Sequence, residues 1–436
     1  MKRCMRHTVA AALLAVMSFS AQAQDVLIRN ATVHTATAQG TLRATDVWIS
    51  GGKVQAIGSG LQAPANVTVV QAEGRPLTPT LFGGITGIGV EEVSGESDTV
   101  DVSLALAEAG AMSVRPEFDV SLAYNPQSML VPVARVEGIG WTLLGARATR
   151  GGSIIGGQGG VVRLDGSADP IGPRALFLAI GGPRAAGLSG QSRAAQWMLL
   201  DQWVGEVRDG KLTSASSGML TAAGRATLAR YLDGGGRVVV EVNRASDIRQ
   251  LLRWSARHGV RIAISGGAEA WQLAPQLAAA KVPVFVDPLA NLPADFDQLG
   301  ASMENAARLH AAGVAVGFSQ AGDAAHNARK IRQLAGNAVA AGLPWQAALA
   351  GLTTVPAEAF GVATEVGQIR VGQRADLVLW SGDPLEVNTL ATQVWLDGRL
   401  IPMRSRQTEL RDRYLRPQSA WPRAYPAPAA GTTGSP

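Results

Sequence analysis

The sequence predicts an α/β protein in which a parallel sheet, either closed as a barrel or open and doubly wound, has β-rich segments at both ends. In the middle of the chain, apolar strand-like runs alternate with alanine-rich helical stretches, which is the pattern of βα units. Residues 25–77 and 367–402 instead contain short alternating runs separated by turn residues, typical of antiparallel hairpins. The two β-rich ends can share one small domain only if the βα core brings its termini together.

The individual elements follow from these patterns. In the first β-rich segment, residues 26–28, 45–49 and 54–57 are strand-like, and Gly51-Gly52 marks a hairpin. In the core, the apolar runs predict strands and the alanine-rich stretches that follow predict helices. The predicted strands are 237–242, 261–264, 282–286 and 314–318, and the predicted helices are 247–257, 268–279 and 328–341.

The first 23 residues have the pattern of a secretory signal peptide. Lys2, Arg3 and Arg6 precede an apolar run over residues 9–19, and small residues lead to Ala23. The run is too short for a stable transmembrane anchor, which is the alternative interpretation. We therefore expect cleavage after Ala23, a periplasmic location and no membrane anchor.

Composition excludes several classes of function for the mature protein. Cys4 is the one cysteine, and its loss with the signal leaves no disulfide, thiolate ligand or cysteine nucleophile. Three of the 39 basic residues are also removed, so the remaining 36 face 34 acidic residues and the net charge is about +2. Nucleic acid is therefore not an expected partner, whereas a small-molecule ligand is.

Six segments, in a fixed order over nearly the whole mature chain, carry a family resemblance. They are residues 28–34 (IRNATVH), 49–54 (ISGGKV), 242–248 (VNRASDI), 266–271 (GGAEAW), 336–345 (GNAVAAGLPW) and 372–378 (GQRADLV). Through them the chain resembles the amidohydrolase superfamily, and most closely its imidazolonepropionase-like branch of exported proteins. The resemblance implies a distorted TIM, or (β/α)₈, barrel with a small β-sandwich built from both ends of the chain.

The resemblance also implies domain boundaries. We expect the signal peptide over residues 1–23, the halves of the β-sandwich over 24–77 and 365–403, and the barrel over 78–364. Residues 404–436 are charged and then rich in Pro and Ala, so we expect a disordered tail there.

The histidines with which the family holds its catalytic metal are missing from the first strand. Such enzymes use a divalent ion to activate a bound water, and their first strand ends in an Asp-x-His-x-His pattern whose histidines share one face. Here Gly83, Ile85 and Gly87 occupy the matching positions. The first strand therefore supplies no metal ligand.

Later strands are also short of ligands. Glu241 stands where the family has a histidine, and the histidine expected on residues 262–266 is absent. Gln320 or Ala321 stands where the aspartate of the last strand is expected, with Asp323 close by. Lys211 lies in a polar stretch that does not suit a bridging carbamylated lysine. We therefore expect no metal or other cofactor at the usual site, which is degenerate.

A smaller set of candidate residues remains. Asp323 and His326, after the last predicted strand, are the catalytic candidates. The substrate-binding candidates follow the strands ending near residues 242 and 266, and they are Glu241, Asn243, Arg244 and Glu269. A divalent ion such as zinc would bind only at a rearranged site that uses Glu91, Glu92 or Asp119.

The other histidines of the mature chain have structural interpretations. His34 belongs to the small β domain. His258 and His310 each end a predicted helix shortly before a glycine, where a cation is favourable and glycine supplies the left-handed cap.

Two motifs suggest other chemistry. Residues 317–321 (GFSQA) resemble the nucleophile elbow of serine hydrolases, but the chain offers few histidines as partners. Residues 151–160 (GGSIIGGQGG) are rich in glycine without the Lys-Ser or Lys-Thr of a phosphate loop. We interpret them as an active-site loop whose backbone approaches a ligand or another subunit.

Two functions compete. The first is a hydrolase acting on non-peptide carbon–nitrogen bonds of a small cyclic amide or dipeptide-like substrate. The second is a noncatalytic pseudoenzyme that binds a small ligand or partners an active homologue, as a homo-oligomer or a hetero-oligomer. Loss of nearly every metal ligand favours the second, and the resemblance of the whole chain favours the first.

Overall fold

The structure is a computed structural model that describes residues 25–62, 64–104, 114–149, 152–182, 192–208, 219–320, 322 and 324–415. It contains two eight-stranded sheets, which we call the terminal sheet (β1–β5 and β14–β16) and the barrel sheet (β6–β13). The strands are β1 (Val26–His34), β2 (Thr41–Ser50), β3 (Lys53–Gly58), β4 (Thr68–Gln71), β5 (Pro76–Pro79), β6 (Leu81–Thr86), β7 (Ile139–Leu144), β8 (Ile155–Arg163), β9 (Ile171–Ala179), β10 (Arg237–Val242), β11 (Ile262–Gly266), β12 (Val284–Val286), β13 (Val316–Phe318), β14 (Leu377–Trp380), β15 (Ala391–Leu396) and β16 (Arg399–Leu400).

Helices follow or separate the barrel strands, and one ends the described chain. They are α1 (Leu130–Arg135), α2 (Arg193–Arg208), α3 (Ala222–Leu232), α4 (Ala245–His258), α5 (Ala274–Ala279), α6 (Asn305–Ala311), α7 (Ala324–Asn327), α8 (Ile331–Ala340), α9 (Trp345–Gly351), α10 (Thr354–Ala359) and α11 (Arg406–Leu415). No helix among the described residues is both long and apolar enough to cross a membrane.

The barrel sheet is nearly closed. Its hydrogen-bonded order runs β13-β12-β11-β10-β9-β8-β7-β6. The two end strands, β6 and β13, lie close together: a Cβ built on Gly84 of β6 would be 3.9 Å from the carbonyl oxygen of Phe318 in β13. The predicted α/β barrel is therefore confirmed as a mixed α/β fold with a nearly closed eight-stranded barrel. Strand β8 departs from the ideal pattern because it is antiparallel to both β7 and β9.

The glycine-rich segment forms most of β8, so its interpretation as an active-site loop was wrong. Residues 155–159 pair with β9, residues 161–163 of the same strand pair with β7, and β8 is buried along nearly its whole length. Glycine is required by close backbone approach, since a Cβ on Gly159 would lie 1.9 Å from the carbonyl oxygen of Leu144. The glycines therefore serve strand packing inside the barrel.

The terminal sheet joins the two ends of the described chain. Strand β5 pairs in parallel with β1 and antiparallel with β14, so β14–β16 extend a sheet begun by β1–β5. Its apolar core is separate from the barrel core. Trp380 crosses between them, since its indole N–H donates to Thr78 at 2.8 Å and its side chain belongs to the barrel core.

A partly buried ion-pair cluster also joins the terminal sheet to the barrel. Arg374, just before β14, contacts Asp376 on its own segment and Asp165 in the turn after β8. Asp397 adds a third carboxylate at 3.2 Å. Removing Arg374 would take this counter-charge from all three carboxylates.

The expected disorder after residue 404 was wrong for its first part. Helix α11 occupies Arg406–Leu415, and Ser405 begins it by accepting a hydrogen bond from the Thr408 backbone N–H through its hydroxyl at 3.3 Å. Glu409 lies in the first turn, where a negative charge suits the helix dipole. This start signal is visible in the sequence; residues 416–436 lie outside the described residues.

Candidate functional site

A cavity of about 410 Å³ opens at the C-terminal ends of the parallel barrel strands. Its lining comes from the ends of β6, β7, β9, β10 and β11 and from the residues that follow β12 and β13. This is the end of a barrel at which enzymes of this architecture place their chemistry. We call this cavity the barrel mouth.

Strand β6 brings Ile85 to the mouth where the family has its first histidine. Gly87, at the second position, has no room for a side chain, since a Cβ there would lie 2.9 Å from both Glu91 Oε2 and Val102 Cγ1. Gly83 is likewise closed by Ile139, whose Cγ2 would lie 2.9 Å from a Cβ. The packing therefore leaves no room for a side chain at Gly83 or Gly87, and Ile85 supplies no ligand atom.

An ion pair fills the space beside Gly87. Glu91 is 2% exposed, and its carboxylate accepts a hydrogen bond from the Arg147 guanidinium. Arg147 follows β7 and lines the mouth. A fixed guanidinium charge therefore lies beside the position of the missing ligands, and Glu91 is already engaged with it.

Glu241 and Asn243 both lie in the mouth, as the sequence predicted for substrate-binding residues. Glu241 alternates with buried valines on β10, which directs its exposed side chain into the barrel opening. Asn243 follows the strand, and its side-chain oxygen accepts the backbone N–H of Ala268 at 3.3 Å. The mouth therefore contains one predicted carboxylate and one predicted amide.

Arg244 and Glu269 are placed differently. Arg244 is exposed at the N-terminus of α4 and does not line the mouth as the structure describes it. Glu269 is 8% exposed, and its carboxylate accepts the backbone N–H groups of Ala245 at 2.9 Å and Gly300 at 2.8 Å. Glu269 thus connects loops that surround the mouth, which gives it a positioning role.

Of the two predicted catalytic residues, His326 is among the described residues. Asp323 lies outside the described residues. His326 is exposed on α7 and is not part of the described mouth lining. The residues that do reach the mouth from this loop are Ser319 and Gln320.

Ser319 and Gln320 belong to residues 317–321, the segment that resembles the nucleophile elbow of serine hydrolases. Ser319 lines the mouth, and the described residues show no serine–histidine pair of the kind that a serine hydrolase requires. Gln320 has a buried side-chain oxygen with no hydrogen-bond partner there. An unsatisfied acceptor of this kind favours a ligand that brings an N–H or O–H group.

Three aspartates of the mouth were missed by the sequence prediction, namely Asp287, Asp295 and Asp297. Asp287 directly follows β12, and its position at the end of a parallel strand was a usable signal. The other two lie in the long segment before α6, where sequence spacing predicts no location. Asp295 accepts the Asp297 backbone N–H at 2.8 Å, which shapes the loop.

Arg193 connects the loop that contains Asp295 and Asp297 to the barrel through ion pairs. The Arg193 guanidinium, at the start of α2, donates to Asp297 and also to Asp247 on α4 at 3.0 Å. Burial raises the pKa of the Asp247 carboxyl, with the neighbouring Arg193 charge opposing that rise. One cation therefore serves two nearly buried carboxylates.

Among the described residues, the side chains do not match the ligand set of the metal centre that the fold family implies. Within the described ranges, no three histidine, cysteine, aspartate or glutamate side chains converge on one point. Of the residues considered for a rearranged site, Asp119 is paired with Arg174 at 2.8 Å and Glu91 with Arg147. Glu92 has a buried carboxylate oxygen without a partner, but it does not line the mouth.

The other histidines have structural contacts. His34 packs on Trp345 with ring centroids 4.7 Å apart, and burial lowers its pKa. His258 contacts Asp201 at 3.0 Å, and α4 ends at Gly259 with a φ of +71°. His310 lies in the last turn of α6.

Comparison with known proteins identifies relatives of one kind. Residues 234–401 match the family model described as "Amidohydrolase family". A 57-residue stretch, 13% of this chain and 6% of the other protein, is 49% identical to amidohydrolase tasK of Hapsidospora irregularis.

Solved structures share the fold over most of the chain. An amidohydrolase from Thermotoga maritima MSB8 is similar with a TM-score of 0.74 and 23% identity, covering 87% of this chain and 100% of that one. The N-isopropylammelide isopropylaminohydrolase of Burkholderia multivorans ATCC 17616 has a TM-score of 0.50 and 14% identity, covering 87% and 98%.

Proposed function

We propose that the barrel mouth of this chain, whose residues 234–401 match the amidohydrolase family model, receives a small molecule with a non-peptide carbon–nitrogen bond. A cyclic amide or a dipeptide-like compound is the class that we infer. The cavity of about 410 Å³ has the size of a small-molecule site, and its position matches the functional end of a barrel.

The charge of the mouth narrows this class. Four carboxylates line its described part, from Glu241, Asp287, Asp295 and Asp297, together with the guanidinium of Arg147. Asp297 is ion-paired with Arg193, and Arg147 is ion-paired with Glu91. A cleft lined mainly by one sign of charge concentrates ligands of the opposite sign. The mouth therefore favours ligands that carry an ammonium group or several N–H donors.

We propose that binding in this mouth proceeds without the metal-activated water of the family, so that the protein is a noncatalytic pseudoenzyme. The observation that carries the proposal is the packing at Gly87, where Glu91 and Val102 occupy the space that a second histidine ligand would need. Restoring a single histidine would not rebuild the centre, because several surrounding side chains would also have to move.

A hydrolase is the second candidate, and the placement of Glu241 and Arg147 in one cavity favours it. A carboxylate can accept the proton of an attacking water, and a guanidinium can stabilise the negative charge that develops on a carbonyl oxygen. The bond broken would then be a carbon–nitrogen bond of the same substrate class.

Metal content and turnover separate the two candidates. Purified protein would be analysed for zinc, manganese and iron, and then incubated with a panel of cyclic amides and dipeptides with and without a chelator. We expect no stoichiometric metal and no product above the level given by Glu241→Gln. One metal per chain together with chelator-sensitive turnover would overturn the pseudoenzyme proposal, and turnover insensitive to chelator would favour the hydrolase candidate.

Ligand binding tests the site itself. The same panel would be titrated by calorimetry into wild type and into Glu241→Gln, Asp323→Asn and His326→Gln, with the exposed Glu304→Gln as a matched control. We expect Glu241→Gln to weaken binding about tenfold, as loss of one charged contact does, and Glu304→Gln to leave it unchanged. Equal affinities in wild type and Glu241→Gln would place the site elsewhere.

We also propose export to the periplasm and association with a second copy or with an active homologue. The residues carrying the signal pattern lie outside the described ranges, and N-terminal sequencing of the secreted protein would test cleavage after Ala23. Leu292 and Phe296, exposed by 72% and 85% in the loop beside the mouth, support the association. A monomer by analytical ultracentrifugation, alone and with its homologues, would contradict it.

A further inference from the structure

A second pocket lies at the other end of the barrel, where the parallel strands begin. Its volume is about 70 Å³, and its lining includes the side chains of Arg174, Arg237, Arg261 and Glu358. Phe360 lines it as well and stacks on Phe285, inside the barrel, with ring centroids 5.1 Å apart. We call it the basal pocket, and it is separate from the barrel mouth.

The strand register places two of these arginines side by side. Val238 pairs with Ile262 in the parallel ladder of β10 and β11, and the Val238 N–H donates to the Arg261 carbonyl at 2.8 Å. Arg237 and Arg261 therefore lie opposite each other on adjacent strands, with side chains on the same face and about 4.8 Å between their backbones. Like charges in this arrangement repel each other.

Neither arginine has a carboxylate partner within the described chain. Arg237 donates to the carbonyl oxygens of Ala359 at 2.7 Å and Ile262 at 2.8 Å, and Arg261 donates to a carbonyl oxygen in the turn before β10. Burial and the Arg261 charge lower the pKa of Arg237, which is the effect expected of an uncompensated pair. Neutral carbonyl groups hold the guanidinium groups in place without balancing their charge.

The remaining charges of the lining do not balance the pair. Arg174 is the third guanidinium, and it is ion-paired with Asp119 at 2.8 Å. Glu358 is exposed and forms no ion pair with either arginine. Arg237, which is partly buried, and Arg261, which is exposed, therefore place two positive charges at a small concave space. The partly buried charge of Arg237 favours a counter-ion.

We propose that the basal pocket binds a small oxyanion, of the phosphate or sulfate type, between Arg237 and Arg261. The planar guanidinium group matches the oxygens of such an ion with paired hydrogen bonds. A volume of about 70 Å³ admits an ion of this size and excludes a nucleotide. The anion neutralises the repulsion between Arg237, the first residue of β10, and Arg261, which directly precedes β11, and so stabilises the base of the barrel.

Thermal unfolding with phosphate as the probe tests this site. Phosphate would replace chloride at constant ionic strength, and we expect the melting temperature of the wild type to rise by about 2–4 °C. Arg261→Gln should abolish the rise, whereas Arg253→Gln, an exposed arginine on α4, should retain it. The same rise in Arg261→Gln as in wild type, or no rise in wild type, would overturn the proposal.

Calorimetric titration of phosphate supplies a readout that does not depend on unfolding. Arg261→Gln should weaken binding at least tenfold, and Glu358→Gln should strengthen it because a nearby negative charge is removed. Arg237 is left unchanged, since its bonds to two strand carbonyls are part of the barrel. Unaltered phosphate affinity in both variants would contradict the assignment of these side chains to the site.

Discussion

At the scale of single residues, a few charged and polar side chains line the mouth, and the sequence predicted only some of them. Glu241 and Asn243 could be predicted because they end a parallel strand, and Asp287 offered the same signal after β12. Asp297 could not, because a loop folded back over the barrel fixes its position through Arg193. Contacts between distant segments have no local sequence pattern.

Replacing Arg193 tests how much this loop depends on a single cation. In Arg193→Gln, the carboxylates of Asp247 and Asp297, exposed by 7% and 4%, lose their counter-charge. We expect a loss of about 1–3 kcal/mol in unfolding free energy, which is below the value for a fully buried pair because Arg193 is partly exposed. Urea unfolding at neutral pH would measure it.

A matched variant distinguishes this from the loss of any surface arginine. Arg257 pairs with Asp201 at 3.0 Å, and both side chains are well exposed. Arg257→Gln should therefore change stability by less than about 0.5 kcal/mol. Similar losses in the two variants would show that the loop does not depend on the Arg193 network.

At the scale of elements, β8 is the largest departure from the sequence prediction. A segment so rich in glycine is typical of a loop. In the structure it forms a strand that packs so closely against its neighbours that side chains have no space. The glycine content of a segment indicates that its backbone is free to adopt many conformations. It does not indicate whether another strand lies close by. Elements with apolar periodicity, such as β10 and α4, were recovered almost to the residue.

The close contact at Gly159 gives a sharp prediction. In Gly159→Ala, the new methyl group would lie 1.9 Å from a backbone carbonyl oxygen, which cannot move away as a flexible side chain could. We expect a loss of about 2–5 kcal/mol in the free energy of unfolding. Denaturant unfolding followed by tryptophan fluorescence would measure the change.

Gly95 provides the control, because a Cβ there meets no atom within 4 Å and its φ is not left-handed. Gly95→Ala should alter stability by no more than about 0.5 kcal/mol. If Gly159→Ala were equally mild, β8 would have to be looser than the structure shows.

At the scale of the whole molecule, the terminal sheet and the barrel are joined by charged and aromatic contacts. The sequence predicted that both ends of the chain would be β-rich, and the strands do meet in one sheet. It could not predict the Arg374 cluster, because its carboxylates come from three separate segments. We therefore expect the contact between the two parts to weaken in acid.

Asp165 provides the test of that sensitivity. Burial would raise its pKa, but hydrogen bonds from Ser167 and the charge of Arg374 outweigh burial and hold the pKa below its ordinary 3.8. A carboxyl with a depressed folded pKa stabilises the protein above its unfolded pKa, and that stabilisation is lost as the pH falls through the folded value. Wild type should therefore exceed Asp165→Asn in stability at neutral pH, with the difference shrinking below about pH 4.

Melting temperatures measured from about pH 6 down to pH 2.5 would follow this difference. The exposed Asp98→Asn provides the comparison for loss of a surface carboxyl, and it should track the wild type throughout. A constant gap between wild type and Asp165→Asn across this range would exclude Asp165 as an acid-labile contact.

The pairing of β5 with β14 has a consequence for the order of events during folding. These adjacent strands are separated by about 300 residues of chain. Because a polypeptide is synthesised from its N-terminus, all residues of the barrel are made before β14 is available to pair with β5. Until then, β5 has an unpaired edge that could template the wrong partner. A nascent chain that stalls before β14 is therefore at greater risk of aggregation than one that stalls just after it.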